Sequence, residues 1–338
     1  MVTPLAKPLP AARTIEVDPE SEGQRLDNFL LRHLKGVPKT HIYRIIRSGE
    51  VRINKGRVQA DSRVHTGDAV RVPPLRMSEK PTAEALLAPP REFPVLFEDD
   101  DLIAIDKPAG VAVHGGSGVS FGVIEQLRQS RPQAPLLELV HRLDRETSGI
   151  LLIAKKRNAL RQLQDQFRER ETGKTYLALV KGAWPRNKKV IDSPLVKYLL
   201  PNGERRVQVA AADDPQSMRS ISLVKVLTVV QPPLEWPEEV GAHFSLLAVT
   251  IKTGRTHQIR VHLSSQGGPI VGDDKYGDFE LNKLAARFGL KRMFLHAWQL
   301  RFTHPRSGEV IQLHAPLPPE LMWGSIQSLS LIHISEPT

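Results

Sequence analysis

A proline-rich stretch in the first third of the chain most constrains how it can fold. Six prolines fall between residues 73 and 94, and residues 81–94 hold four of them. Proline fixes φ and lacks a backbone donor, so neither a helix nor a central strand can continue through such a segment. The sequence of 338 residues suits two domains of about 100–200 residues each. We predict a linker at residues 81–94.

This linker divides the chain into unequal parts. We predict a flexible N-terminus at residues 1–19, a small domain at residues 20–80 and a larger domain at residues 95–322. The final segment, residues 328–338, has a residue pattern unlike the rest of the chain and resembles translated sequencing-adapter DNA. We interpret it as a non-native tail and leave it out of the functional argument.

The positive charge is concentrated in the small domain. The whole chain has 47 Lys and Arg against 37 Asp and Glu, a net charge of +10, and residues 20–80 alone hold 13 against 7. Such an excess predicts a polyanionic partner, either nucleic acid or an anionic membrane. The longest strongly apolar run, residues 149–154, is far shorter than the ~20 residues of a membrane span. We therefore favour nucleic acid over a membrane.

The absence of cysteine narrows the chemistry further. It excludes a disulfide scaffold, cysteine-ligated zinc, an iron–sulfur cluster and a thiol nucleophile. The first 17 residues contain three prolines and no apolar core of a secretory signal. We expect a reducing, cytoplasmic location.

Local patterns in the small domain predict two helices followed by short strands. Apolar residues recur at helical spacing over residues 26–34, and Ser21 with Gln24 resembles a capping box at the start. Pro38 can open a second helix, and Gly49 can end it.

The larger domain mixes strand and helix patterns without strict alternation. Predicted strands include residues 102–105, 150–154, 176–180 and 244–251, and predicted helices include residues 120–130 and the segment around 160–167. This mixture favours an α+β fold, with a mixed, mostly antiparallel sheet and flanking helices, over a doubly wound parallel sheet.

One candidate for chemistry is Asp144, which lies between Arg142 and Arg145 in a predicted turn before an apolar strand. Neighbouring cations keep a carboxylate ionised, which suits a nucleophile or a weak base. The alternative is a turn or capping residue paired with a surface arginine.

Two further candidates lie in separate motifs. Tyr176, on a predicted strand, could stack on a base or hydrogen-bond a reacting group, or it could be an amphipathic core residue. Arg260, in residues 253–262, could hold a carboxylate or a phosphate at two points, or it could belong to a solvated basic face.

Nucleotide-cofactor and metal motifs are not supported. Residues 173–175 lack the upstream glycine of a phosphate-binding loop, because position 168 is Arg. His257 and His262 point apart on either a strand or a helix and have no nearby ligand to complete a metal set. We predict no metal and no cofactor.

Together, residues 141–149, residues 174–180 and residues 253–262 resemble the signature stretches of the pseudouridine synthases that modify RNA, specifically the family of the ribosomal large-subunit enzymes. The segment 20–80 resembles the S4-type (αL) RNA-binding domain of many members, through residues 25–30, 49–54 and 67–68. The resemblance spans about residues 16–322 in the expected order.

The resemblance implies an isomerisation in which uracil leaves the ribose at N1, turns and rejoins through C5. It implies that Asp144 is the catalytic carboxylate, either as nucleophile or as base in an elimination. Arg260 would pair with Asp144, and Tyr176 would stack on the uracil and take the proton from C5. Arg142 would fill the space that the extruded uridine leaves.

The resemblance also implies the partner, which is large-subunit ribosomal RNA or an assembly intermediate. Phosphates would be neutralised by five cations of the small domain, Lys39, Arg44, Arg47, Lys55 and Arg57. We expect a monomer, since nothing in the sequence demands a dimer.

Two other functions stay open on the residues. One is a catalytically silent RNA-binding or ribosome-assembly protein of the same fold. The other is a hydrolase that cuts the N-glycosidic bond through Asp144 and releases free uracil.

Overall fold

The computed structural model describes residues 12–34, 37–75, 88–116, 120–201, 203–211, 213–237 and 243–328. The chain separates into two compact units, with the division after Leu87. The predicted domain boundaries otherwise stay predictions. No helix among these residues is both long and apolar enough to cross a membrane.

The first unit packs two helices against a small antiparallel sheet of order β1-β4-β2-β3. Its elements are β1 (Arg13–Glu16), α1 (Leu26–His33), α2 (Lys39–Arg47), β2 (Arg52–Ile53), β3 (Gly56–Arg57) and β4 (Ala69–Val72). The core contains Leu26, Phe29 and Ile42, because the apolar stripes of both helices face inward. Pro38 stands before the first turn of α2, and Gly49 has a φ of +76° just after it. The predicted start and end of α2 are therefore confirmed.

Three predictions near the ends of this unit are wrong. The N-terminus is not flexible to residue 19, since Arg13–Glu16 pairs with β4 and Val17 is buried. Ser21 and Gln24 form no capping box, because α1 begins after Arg25 without a side-chain cap. In the predicted linker, residues 88–94 pack on the second unit: the backbone amide of Arg91 donates to Gln126. The remainder of the linker, residues 81–87, lies outside the described residues, as does most of the predicted tail.

The second unit is built on a long mixed sheet of order β10-β13-β14-β9-β15-β8-β6-β5, with β16 beside β15 and β7 beside β8. Its strands are β5 (Val95–Glu98), β6 (Leu102–Lys107), β7 (Glu138–Leu139), β8 (Ser148–Ala154), β9 (Gly173–Lys181), β10 (Val190–Asp192), β11 (Leu195–Leu199), β12 (Arg205–Val209), β13 (Ile221–Val230), β14 (Phe244–Ile251), β15 (Leu295–Thr303) and β16 (Val310–His314). Its helices are α3 (Val123–Ser130), α4 (Arg157–Glu169), α5 (Gln258–Ser265) and α6 (Phe279–Arg287). The β15–β8 pair is parallel and the other pairs of this sheet are antiparallel. The predicted α+β class is confirmed.

The sheet places residues from four separate strands side by side. Gly149, Ala297, Tyr176 and Val249 are in register across β8, β15, β9 and β14. Gly149 has a φ of +109°, and a Cβ there would lie 2.3 Å from the carbonyl oxygen of Ala297. Only glycine permits this close approach. The loop before β8 and the loop after β14 therefore leave the sheet beside Tyr176.

Candidate active site

Asp144 lies in the loop between β7 and β8, where the backbone amide of Thr147 donates to its carbonyl. Its side chain is 21% exposed and lines a pocket of about 100 Å³. Arg142, Tyr176 and Arg260 line the same pocket. The four residues singled out in the sequence of the larger domain are thus brought together, although they come from three separate stretches.

The main partner of Arg260 is a residue that the sequence did not predict. Its guanidinium donates from Nε and Nη2 to Asp273, at 2.8 and 2.6 Å, and the same Nη2 lies 3.2 Å from Asp274. Nη1 stands 3.7 Å from Oδ2 of Asp144, within ion-pair range but beyond a hydrogen bond. Burial alone would raise the pKa of Asp273, but its hydrogen bonds with Arg260 lower that pKa below its usual value. The predicted pairing of Arg260 with Asp144 is therefore a secondary contact.

The cations next to Asp144 in sequence are not the ones that face it. Arg145 pairs with Glu146 through its Nε at 2.9 Å, and Arg142 is exposed. In the described part of the chain, the groups within 4 Å of the Asp144 carboxylate that can carry positive charge are Arg260 and His257. The expectation that Arg142 and Arg145 neutralise Asp144 is wrong, because turn geometry directs these side chains elsewhere.

Tyr176 presents its ring to the pocket from the middle of the sheet. Burial raises the pKa of its hydroxyl, and the charge of Asp144 adds to the effect. The hydroxyl is therefore protonated at neutral pH. A flat, protonated phenol beside a carboxylate can stack on a base and also hydrogen-bond it.

His257 reaches Asp144 from the loop that precedes α5. Its φ of +53° is left-handed, which is uncommon outside glycine and marks a position fixed by its surroundings. Its Nε2 lies 3.8 Å from Oδ2 of Asp144, and its Nδ1 lies 2.8 Å from the hydroxyl of Tyr276. That hydroxyl accepts a hydrogen bond from the backbone amide of Val207 on β12. Burial lowers the pKa of His257 below its usual value, so the ring is neutral at pH 7.

The remaining polar residues of the 253–262 stretch hold this loop in place. The side-chain oxygen of Gln258 accepts from Thr253 and from the backbone of Arg255, and its amide donates to Ile221 on β13. His262 lies 2.9 Å from both Ser222 and the carbonyl of Ser193, and its side chain is buried. Each polar group thus anchors α5 to β13 or the segment before β11.

Lys107, at the end of β6, fixes the other side of the Asp144 loop. Its side chain is fully buried, and its ammonium donates to the carbonyls of Pro108, Val111 and Arg145 at 2.9, 2.9 and 3.1 Å. Three acceptors match the three donors of an ammonium group. This residue ties the turn after Asp144 to the adjacent strand.

Four residues around Asp144 were not among the predicted site residues: Lys107, His257, Asp273 and Tyr276. A usable signal did exist for Asp273, because a buried arginine requires a carboxylate and residues 273–276 place two acids beside a tyrosine. The signal for Lys107 is weaker, since one lysine at the end of an apolar strand is usually exposed.

The cations of the first unit are only partly grouped. Arg44 and Arg47 are exposed on α2, and Arg57 donates to the carbonyl of Arg47 at 3.3 Å. Lys55 lies in the turn between β2 and β3 with a φ of +68°. Lys39 begins α2, and its side chain lies outside the described residues. Arg47 and Arg57 therefore form one basic surface on this unit.

A possible metal-binding group lies away from the residues discussed so far. Asp99, Asp101 and His304 offer ligand atoms within 4.8 Å of one another, which the sequence did not predict. Their acceptors are already engaged: His304 bonds Asp99 at 2.7 Å, and Arg306 bonds Asp101 at 2.6 Å. The group therefore joins two turns of the sheet, through the contact of His304 with Asp99 and the ion pair of Arg306 with Asp101.

Comparison with known proteins identifies the class. The model of the RNA pseudouridylate synthase family matches residues 101–265, and the S4 domain model matches residues 24–70. The chain belongs to the RNA pseudouridylate synthase family. The resemblance noted in the sequence is thus confirmed.

Particular relatives are similar over nearly the whole chain. The ribosomal large subunit pseudouridine synthase C of Pasteurella multocida (strain Pm70) is 49% identical over 315 residues, covering 92% of each chain. The enzyme of the same name from Escherichia coli (strain K12) is 47% identical over 316 residues, covering 91% of this chain and 94% of its own. The solved structure of human RNA pseudouridylate synthase domain containing 1 has a TM-score of 0.56 at 25% identity, covering 77% of this chain and 99% of that one.

Proposed function

We propose that this chain converts specific uridines of large-subunit ribosomal RNA to pseudouridine, with Asp144 as the catalytic carboxylate. The observation that carries the proposal is the pocket in which Asp144 and Tyr176 meet beside Arg260. The relatives named for this activity, at 47–49% identity, support the choice of substrate. We place the reaction in the cytoplasm and expect the chain to act as a monomer.

The reaction breaks the bond between C1′ of the ribose and N1 of the uracil and forms a bond between C1′ and C5. N1 gains a proton and C5 loses one, so no electron or group is imported. Asp144 acts on the ribose, either by attack at C1′ or by removing the 2′ proton. Both routes require the carboxylate to be oriented toward the ribose, and the guanidinium of Arg260 lies 3.7 Å from it.

The two other pocket residues have separate tasks. Tyr176 stacks on the uracil and holds it while it turns. Because burial keeps its hydroxyl protonated, this group donates a hydrogen bond and does not receive the proton from C5. Arg142 is exposed at the mouth of the pocket and fills the space that the uridine vacates. Extrusion of the base costs a few kcal/mol, which these contacts offset.

The first unit supplies affinity for RNA. Exposed Arg44, Arg47 and Arg57, together with Lys55, neutralise phosphates and confer little sequence choice. Lys39, the first residue of α2, stays a predicted phosphate contact. Sequence choice is then left to the pocket and to the shape of the RNA.

Pseudouridine mapping of ribosomal RNA tests the proposal. Cells lacking the gene are complemented with wild type, with Asp144→Asn or with the control Glu138→Gln, which alters an exposed carboxylate on β7. We expect particular large-subunit uridines to regain the modification with wild type and with the control only. Full growth rescue by Asp144→Asn would instead indicate a binding or assembly protein. Release of free uracil from RNA by the purified protein would indicate a hydrolase.

A further inference from the structure

Two large grooves flank the Asp144 pocket, and they differ in charge. The basic groove, of about 510 Å³, is lined by Arg142, Arg168, Arg170, Lys174 and Arg255 and by no Asp or Glu. The second groove, of about 530 Å³, is lined by cations and also by four acids, Asp144, Glu146, Glu204 and Asp274. Since Arg142 lines both grooves and the pocket, all three meet at this residue.

Most cations of the basic groove have no counter-ion of their own. Arg168 is paired with Asp165 and Glu169. Within the described ranges, no carboxylate lies within 4 Å of Arg142, Arg170, Lys174 or Arg255. Like charges held together without acids are unfavourable unless an anion joins them. The groove is therefore suited to bind a ligand with several negative charges.

Lys174 is the most informative of these cations. It is only 9% exposed, and its ammonium lies 5.2 Å from the centroid of the Phe167 ring. Burial, and next the charge of Arg170, lower its pKa below the usual lysine value. His141 beside it is a neutral ring, because burial lowers its pKa and its Nε2 accepts from the backbone amide of Leu152.

The position of Lys174 relates the groove to the reaction. Lys174 and Tyr176 are two residues apart on β9, so their side chains share one face about 7 Å apart. One nucleotide can bridge such a distance. An anion on Lys174 is thus adjacent to a base stacked on Tyr176.

We propose that the basic groove binds backbone phosphates of the RNA strand next to the target uridine, through Arg142, Arg170, Lys174 and Arg255. This inference rests on the proposed function and adds the path of the strand. The phosphates occupy the all-cationic groove, because most cations of the second groove are already paired with its own acids. Each arginine can donate hydrogen bonds to two phosphate oxygens, and Lys174 acts as a point charge.

The test is the salt dependence of RNA binding. The probe is an unmodified transcript of large-subunit ribosomal RNA, measured by filter binding with the full chain. The variants are Arg170→Asn, which suits its left-handed φ of +65°, Lys174→Gln and Arg255→Gln. Each lost phosphate contact should lower the slope of log K against log salt by about 0.7–0.9. The loss of affinity between 50 and 200 mM salt should then be about threefold smaller in the variant than in wild type.

Two controls make the result specific. Arg161→Gln removes an exposed cation from α4 outside the groove and should leave slope and activity unchanged. Lys174→Arg keeps the charge and should restore the wild-type slope, which separates loss of a contact from damage to β9. Pseudouridine formation on the same transcript is followed in parallel.

The outcomes are distinguishable. If wild type forms pseudouridine and the groove variants keep its slope, the groove does not bind phosphate and the inference is overturned. If wild type forms none on any ribosomal RNA, the proposed function fails instead. A lower slope in Arg170→Asn alone is sufficient support even where Lys174→Gln does not fold, since Arg170 is exposed.

Discussion

Arg260 and Asp273 form a buried, two-point ion pair, with side chains 3% and 1% exposed. This pair lies directly behind Asp144, whose carboxylate is 3.7 Å from the same guanidinium. Asp273 already compensates most of the charge of Arg260. The guanidinium is therefore fixed close to Asp144 but makes no short hydrogen bond to its carboxylate. The carboxylate can therefore move toward a substrate atom. Arg260 orients Asp144, and Asp273 orients Arg260.

Loss of the carboxylate of Asp273 should be severe. Asp273→Asn removes the buried counter-charge of Arg260, which typically costs about 3–5 kcal/mol, and it frees the guanidinium to bind Asp144. We expect lower stability and a fall in kcat that exceeds any change in KM. The control is Asp274→Asn, since Asp274 is 66% exposed and an exposed pair contributes at most about 1 kcal/mol. Tryptophan fluorescence during urea unfolding reports on the second unit alone, because all four tryptophans follow residue 94. Equal effects of the two substitutions would contradict this assignment.

The same pair predicts a specific response to acid. The pKa of Asp273 is lowered in the folded chain, mainly by Arg260 acting against burial. A depressed carboxylate pKa stabilises the fold fully above the unfolded value of about 3.9, and this stabilisation is lost as pH falls through the folded value. The difference in unfolding free energy between wild type and Asp273→Asn should be constant from about pH 7 to 5 and shrink below about pH 4. A difference that grows on acidification would refute the argument.

His257 should act on Asp144 as a neutral donor. The amide of Val207 donates to the Tyr276 hydroxyl, which leaves the hydroxyl proton for Nδ1 of His257. The ring proton then lies on Nε2, facing the carboxylate of Asp144. Burial lowers the pKa of His257 below its usual value, so this form is the one present at neutral pH.

Substitution of His257 tests this arrangement through the pH profile. His257→Asn suits the left-handed backbone and keeps an acceptor for Tyr276, but it removes the donor toward Asp144. We expect kcat to fall less than about tenfold with little change in KM, because the 3.8 Å contact is longer than the charge-assisted hydrogen bond whose loss would cost that much. In the pH profile of single-turnover rates, the decline toward acid that is caused by protonation of His257 should disappear. Besides Asp144, the charged groups that face the ring are Arg260, Lys275 and Asp273. An unchanged profile would assign His257 a structural role only.

Helices and strands could be predicted from the sequence where the residues that define them are close together in the chain. The apolar stripe of α2, with Pro38 before it and Gly49 after it, identifies that helix without knowledge of its neighbours. Strand Arg13–Glu16 was missed because its pairing with Ala69–Val72 depends on residues more than 50 positions away. The candidate site follows the same rule: Asp144, Tyr176 and Arg260 stand in distinctive motifs, whereas Asp273 becomes meaningful only once α5 places Arg260 against it. Choice of partner across the chain is a tertiary property that local patterns do not encode.

Lys107 provides the final prediction, because it couples stability to the position of Asp144. Lys107→Met preserves much of the volume but leaves the carbonyls of Pro108, Val111 and Arg145 without the ammonium. The Arg145 carbonyl keeps its bond from the amide of Gly110, so the turn loosens rather than detaches. An unmet buried polar group costs about 1–3 kcal/mol, so we expect a loss of about 3 kcal/mol together with a lower kcat.

The control for Lys107 is Lys156→Met, which removes a 48%-exposed lysine paired with Asp101 at 3.4 Å. Its effect on unfolding should stay below about 1 kcal/mol. Urea unfolding by tryptophan fluorescence gives the stability, and single-turnover pseudouridine formation gives the rate. Full activity in a destabilised Lys107→Met would show that the Asp144 loop keeps its geometry without the ammonium. A loss of rate that exceeds the unfolded fraction would instead establish that three backbone carbonyls, gathered by one buried lysine, set the position of the carboxylate.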